Sequence, residues 1–170
     1  RGREAPRDGP APRRLPLMRI LGLDVGDRRI GVALSDPIGL TAQPVMTVDR
    51  RHPSGDVDAI KALVERHGVG LVVVGLPLTL RGEQGPQAKK VVAFAERMRQ
   101  RLAIPVQLLD ERLTTIQGTR SLLETGTSRR KRKQVIDQVA AQLILQQFLD
   151  THRARESRPT GGDSVVRGEG

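Results

Sequence analysis

The spacing of hydrophobic residues along this chain changes once, and that change divides the fold. Two short apolar runs, residues 20–25 and 29–35, flank the polar turn Gly26-Asp27-Arg28, and Gly31 and Ala33 in the second run permit close packing. A second turn, Asp36-Pro37-Ile38-Gly39, leads to a third run at about 41–48, where Pro44 predicts a sheet edge. Three successive strands joined by short turns predict an antiparallel meander. From Ser54 the period becomes helical: Val57, Ile60, Leu63 and Val64 share one face up to His67, and Gly68 and Gly70 end it. The unbroken apolar run 71–74 predicts a strand buried on both faces, stopped at Gly75-Leu76-Pro77. Residues 79–86 are polar and predict a loop at that strand's carboxyl end. Ala88, Val91, Val92, Ala95, Met98 and Leu102 mark a second amphipathic helix, and 106–109 a fifth strand ending in Asp110-Glu111-Arg112. Thr114 or Thr115 can cap a short helix to about Glu124, which Gly126 breaks. Ser128 can cap a last helix to about Asp150, striped by Ile136, Val139, Ala140, Leu143, Ile144 and Phe148.

Three antiparallel strands followed by strands alternating with helices predict an α/β fold, a five-stranded mixed sheet flanked by helices. That is the layout of the ribonuclease H-like fold. Residues 1–17 are rich in Arg, Pro and Gly without periodicity and are expected to be a disordered extension ahead of a natural start at Met18. The folded domain is expected over 18–150, with a disordered tail at 151–170.

Charge adds one feature to this outline. The chain of 170 residues has a formal charge of +10, from 29 basic and 19 acidic residues. Between residues 20 and 150 the net charge is +5, and the run Arg129, Arg130, Lys131, Arg132, Lys133 alone supplies five. One concentrated basic patch favours a polyanion docking at one place, against the plainer reading of a solvated charged turn. The run begins the last helix, where cations oppose the helix dipole unless a phosphate docks there. Phe94 and Phe148 are the only aromatics, so nucleic acid would be gripped by backbone and shape rather than by base stacking. There is no cysteine, and His52, His67 and His152 lack ligand spacing and read as surface or helix-end residues. Without a membrane-length apolar run or an apolar signal core, a soluble, cytoplasmic protein with no membrane partner is expected.

The remaining chemistry lies in carboxylates. Asp24 ends the first strand, and an acid at the tip of a buried strand is costly unless something pairs with it. Glu111, or its neighbour Asp110, ends the fifth strand, and parity places the two on opposite faces without deciding which points inward. Asp137 shares a helical face with Ala140, Ala141, Ile144 and Phe148, an unusual neighbourhood for an acid. Three acids from sequence-distant elements are a minimal set for two Mg²⁺ or Mn²⁺ ions about 4 Å apart, which activate water and relieve charge on a leaving oxygen. Each has a structural alternative: Asp24 as a turn cap, Glu111 bridged to Arg112, Asp137 paired with Lys133, and Asp110 as a purely structural acid.

Four stretches, 23–36 (Leu-Asp-Val-Gly-Asp-Arg-Arg-Ile-Gly-Val-Ala-Leu-Ser-Asp), 73–78 (Val-Val-Gly-Leu-Pro-Leu), 110–115 (Asp-Glu-Arg-Leu-Thr-Thr) and 136–146 (Ile-Asp-Gln-Val-Ala-Ala-Gln-Leu-Ile-Leu-Gln), together resemble the YqgF/RuvX family. Its members are Holliday junction resolvase-like proteins, also described as nucleases that process the 5′ end of pre-16S rRNA. The resemblance spans about 18–150 and implies a ribonuclease H-like fold, a divalent metal, a bacterial cytoplasmic role and Asp24, Glu111 and Asp137 as the acidic triad. In the distantly similar resolvase RuvC a further aspartate follows the helical acid by one turn; here Ala140 and Ala141 stand in that region.

The expected function is thus a metal-dependent nuclease on structured RNA, chiefly pre-16S rRNA, with ribosomal particles as partners. The alternatives are a homodimeric resolvase of branched DNA and a non-catalytic ribosome or nucleic-acid binding module. The Asp24-Val-Gly26 turn also resembles the phosphate loop of the actin and sugar-kinase superfamily, but those enzymes need two domains around ATP.

Overall fold

The computed structural model describes residues 18–113 and 129–157, with side chains for 18–112 and 135–157. The predicted short helix after Thr114, the cap at Ser128 and the side chains of Arg129–Lys133 lie outside the described residues. Strands β1 (Arg19–Val25), β2 (Arg29–Ser35) and β3 (Ala42–Asp49) form the expected meander. Helix α1 (Pro53–His67), β4 (Val69–Leu76), helix α2 (Pro86–Arg101), β5 (Val106–Asp110), a 3₁₀ turn (Glu111–Leu113) and helix α3 (Arg129–Glu156) follow. The strand order is β3-β2-β1-β4-β5, with β1, β4 and β5 parallel. Pro44 sits on the edge strand, as its missing donor requires, and the β2–β3 register shifts beside it.

Two layers of core cover the two faces of the sheet. Leu21, Leu23 and Val25 point toward α1 and α2, where Ile60, Phe94 and Met98 are buried. Ile20, Ala33 and Val73 point toward α3, against Ala141, Ile144 and Phe148. The continuous apolar run in β4 is explained by this arrangement: Val72 and Val74 face one layer, Val73 the other.

The element ends differ from the sequence reading in three places. Strand β4 incorporates Gly70, because helix α1 already stops at Gly68 in the left-handed region (φ 62°), and Gly75, over which Ile144 packs. Helix α1 starts at Pro53, capped by the His52 ring, whose Nδ1 accepts the Gly55 N–H at 3.0 Å. Helix α3 continues past Asp150 to Glu156. Leu149 is buried, His152 packs on Phe148 with ring centroids 4.2 Å apart, and Arg153 pairs with Asp150, so the last turns have partners that composition did not reveal. No helix among the described residues is long and apolar enough to cross a membrane.

Candidate active site

The site is built on a row of residues that crosses the sheet on its α3 face. In β1, side chains at Ile20, Gly22 and Asp24 share that face, since successive residues alternate. Asp24 pairs in register with Gly31 of β2. On the other side, Leu23 pairs with Val74 of β4, so the next step along the parallel ladder sets Asp24 beside Gly75. The row Gly31, Asp24, Gly75 therefore has one carboxylate between two glycines, at the carboxyl ends of β1 and β4 where open α/β sheets place their ligands.

Each glycine makes room for another acid. A Cβ on Gly31 would collide with the backbone carbonyl of Asp137, so α3 lies directly on β2 at this point. A Cβ on Gly75 would stand 2.5 Å from Glu111 Oε1 and equally close to Ile144 Cδ1. Gly22, one step down β1, would meet Leu145 Cβ at 2.7 Å. Small residues thus let the long helix approach the sheet and bring Asp137 to one side of Asp24. Glu111 arrives on the other side from the turn after β5. The Asp137 backbone thus seats over the strand on one side of Asp24, and the Glu111 carboxylate over the strand on the other.

Asp24 and Glu111 are 7% and 6% exposed, buried for side chains of this charge. Asp137 is partly open, and its Oδ2 accepts a hydrogen bond from Arg29 Nε at 3.1 Å. Its expected alternative partner, Lys133, lies outside the described side chains. Among the described residues, no three His, Cys, Asp or Glu side chains stand as a ready-made metal-holding group.

Asp110 and Glu111 go separate ways. Glu111 continues the β5 alternation onto the α3 face. Asp110 is clasped by Arg112, whose Nε and Nη2 donate to Oδ2 at 3.0 and 2.7 Å while its backbone N–H donates to Oδ1 at 2.9 Å. The Arg112 guanidinium holds the Asp110 carboxyl below its ordinary range. Arg112 Nη1 also reaches the Leu80 carbonyl at 3.4 Å, tying the loop after β4 to the end of β5.

Sequence reasoning missed Arg29 as the partner of Asp137 and missed a ladder of glutamines. Gln138 Nε2 donates to Thr47 Oγ1 at 3.3 Å and Gln142 to the Ala42 carbonyl at 3.0 Å. Gln146 takes the Ala42 N–H at 3.0 Å and donates to the Leu40 carbonyl at 3.1 Å. Their spacing of four residues was visible in the sequence, and it fastens α3 along β3, which sets the helix register that delivers Asp137.

Residues 18–151 match the model of the RuvX family, described as Holliday junction resolvase. The chain belongs to this family. A relative from Moorella thermoacetica, named "Putative pre-16S rRNA nuclease", is 56% identical over 133 residues, covering 78% of this chain and 95% of that protein. One from Clostridium botulinum strain Hall, with the same name, is 47% identical over 134 residues, covering 79% and 98%. Among solved structures, Thermus thermophilus RuvC in complex with a Holliday junction substrate superimposes with a TM-score of 0.52 at 15% identity, over 82% of this chain and 96% of that one. This likeness establishes the ribonuclease H-like fold that the order of strands predicted. The four sequence stretches quoted above all lie within the matched residues.

Proposed function

We propose that this RuvX-family chain is a metal-dependent nuclease that hydrolyses phosphodiesters in structured nucleic acid, acting in the cytoplasm on the 5′ end of pre-16S rRNA within ribosomal precursor particles. The observation that carries the proposal is the row of Gly31, Asp24 and Gly75, with Asp137 packed over one glycine and Glu111 over the other. The donor set suits a hard dication, since it is all carboxylate, and the two glycines let Asp137 and Glu111 close on the sheet on either side of Asp24. Asp24, Glu111 and Asp137 would hold Mg²⁺ or Mn²⁺. Such an ion, when bound, lowers the pKa of a coordinated water and offsets charge on the phosphodiester. The protein's own part is orientation. The Asp24 and Glu111 side chains are buried, and Arg29 pairs with Asp137. Arg129, Arg130, Lys131, Arg132 and Lys133 begin the helix that carries Asp137, and they would meet the substrate backbone next to the scissile phosphate.

The names of the curated relatives support RNA as the substrate, and the family's description supports a second reading, a homodimer that cuts four-way DNA junctions. One experiment addresses both. Cleavage of a pre-16S rRNA 5′ segment and of a four-way DNA junction is followed side by side, with Mg²⁺, with Mn²⁺ and with chelator. The expected result is metal-dependent cutting of the RNA. Asp24→Asn is expected to lower that rate by about a thousandfold or more while the melting temperature is kept. Undiminished cutting by Asp24→Asn would refute the carboxylate site. Metal-dependent, symmetric nicking of the junction alone would replace the RNA reading with the second one.

A further inference from the structure

A second feature lies on the opposite side of the β1–β2 turn from the carboxylate row. Where that turn, the end of β3, the start of α1 and the middle of α2 meet, there is a cleft of about 380 Å³. Its polar lining is dominated by donors: Arg50, Arg51, His52, Lys90 and Arg97. Two carboxylates, Asp27 and Asp56, stand against four full cations, so the cleft has an excess of positive charge.

The cations are of two kinds. Arg50 is part of the framework. Its Nε lies 3.1 Å from Asp56 Oδ2, its Nη1 donates to the Gly26 carbonyl at 2.8 Å, and its guanidinium lies 4.9 Å from the centre of the Phe94 ring. Asp56, itself buried, also accepts the Arg51 N–H at 3.1 Å. These contacts fix the position of the segment 50–52. Arg51 and Arg97, by contrast, are exposed, and among the described residues their guanidinium groups have no carboxylate partner. Lys90 reaches Asp27 at 3.1 Å, but both ends of that pair are more than half exposed, so it exchanges readily with another anion. His52 adds a directed donor. Its Nδ1 accepts the Gly55 N–H, which leaves the hydrogen of a neutral ring on Nε2.

We propose that this cleft binds a backbone phosphate of the polynucleotide on which the carboxylate row acts. The proposal deepens the nuclease reading and rests on it for the identity of the polymer. Guanidinium forks match phosphate oxygens, which supports the anion. A base is disfavoured, because the Phe94 ring is 3% exposed and already covered by Arg50. A small free anion is disfavoured as well. The loose cations are solvent-exposed, and small-ligand sites bury most of what they bind. A phosphate tethered to a chain already held at the sheet edge arrives at high effective concentration and needs no enclosure. Continuity supports the same assignment: Gly26, whose carbonyl accepts from Arg50, is two residues from Asp24, so the cleft and the carboxylate row adjoin the same carboxyl end of β1.

The test compares the full chain with Arg51→Ala/Arg97→Ala, and with Lys61→Ala/Lys89→Ala as a control of equal charge on exposed helix positions outside the cleft. Binding of a structured RNA hairpin and of a four-way DNA junction is measured in chelator across about 50–200 mM KCl. The cleft variant should flatten the slope of log affinity against log salt by about 1.5, so its affinity deficit shrinks about eightfold over that range. The control should keep the wild-type slope. Equal slopes for wild type and cleft variant, or equal losses in cleft variant and control, would overturn the proposal. A second measurement needs no variant. Bound hairpin should protect Lys90 from acetylation at least severalfold while Lys61 reacts as in the free chain; equal labelling of Lys90 with and without hairpin would also overturn it. Should wild type fail to cut RNA or DNA with metal while the cleft variant still flattens the slope, the nuclease reading falls and the cleft stands. Metal-dependent cutting with an unchanged slope has the opposite meaning.

Discussion

The two faces of the sheet are packed on different principles. On the side of α1 and α2 the strands present Leu21, Leu23, Val25, Ile30 and Val32, and the helices answer with Ile60, Phe94 and Met98. Volume is filled there by large side chains, and the helices stand off the strands accordingly. On the side of α3, Ile20, Val73, Ile144 and Phe148 fill volume in the same way, but along the strands Gly22, Gly31, Ala33 and Gly75 also meet Ala140 and Ala141 of the helix. At Gly31 backbone lies directly on backbone, and acids flank the row that side chains vacate. The first face supplies stability through apolar area. The second gives up some of that area for position, because a helix seated directly on a strand cannot slide without a collision.

This contrast makes distinct predictions for the two faces. Ile60→Ala, deep in the large-residue layer, is expected to lower unfolding free energy by about 2–5 kcal/mol in urea titration while cleavage per folded molecule stays as in wild type. Gly31→Ala sets a Cβ against the Asp137 carbonyl, a backbone atom that cannot rotate away. It is expected to cost about 1–3 kcal/mol and, because the helix must lift by a fraction of its contact distance, to reduce cleavage about a hundredfold in the fraction that folds. If Gly31→Ala cut as fast as wild type, close seating of α3 would have no role in activity. Gly75→Ala meets only side-chain atoms, Glu111 Oε1 and Ile144 Cδ1, which can yield. A loss near about 1 kcal/mol is expected, with the larger effect on the Mn²⁺ concentration needed for half-maximal cleavage, which should rise severalfold.

The smallest effect concerns Asp110. Its carboxyl is held below its ordinary value of 3.8, first by the Arg112 hydrogen bond, so between the folded value and 3.8 the unfolded chain binds the extra proton. The pair's stabilisation is therefore complete above about pH 4 and declines as pH falls through the folded value. Asp110→Asn should flatten the acid limb of a melting-temperature profile and leave the region near neutrality, and metal-dependent cleavage, unchanged. Loss of cleavage in Asp110→Asn would mean that the acid next to Glu111 shares its work.

Much of this was legible in the chain. The switch from strand runs to helical spacing placed all five strands in order, and Pro44 marked the edge strand. Asp24 stood out because an acid ended a buried run, and Asp137 because an acid interrupted an apolar stripe. Other features were hidden because their causes are not local. Gly75 looked like a strand breaker, and only the presence of Glu111 and Ile144 above it explains a glycine inside a strand. Asp110 and Glu111 are adjacent, and periodicity gave them opposite faces without orienting either.

Periodicity, turn residues and charge thus determined by themselves the five strands, their order and the two acids, Asp24 and Asp137, that stand apart from their surroundings, since these depend on neighbours within a few positions of sequence. Tertiary structure alone decided that Glu111 rather than Asp110 joins the face of Asp24, that Arg29 meets Asp137, and that Arg50 gathers a cleft from four separate elements. Those outcomes depend on ladder register and on how closely a helix can seat on a sheet, and contacts between residues 108 positions apart, such as Arg29 with Asp137, leave no mark on local spacing.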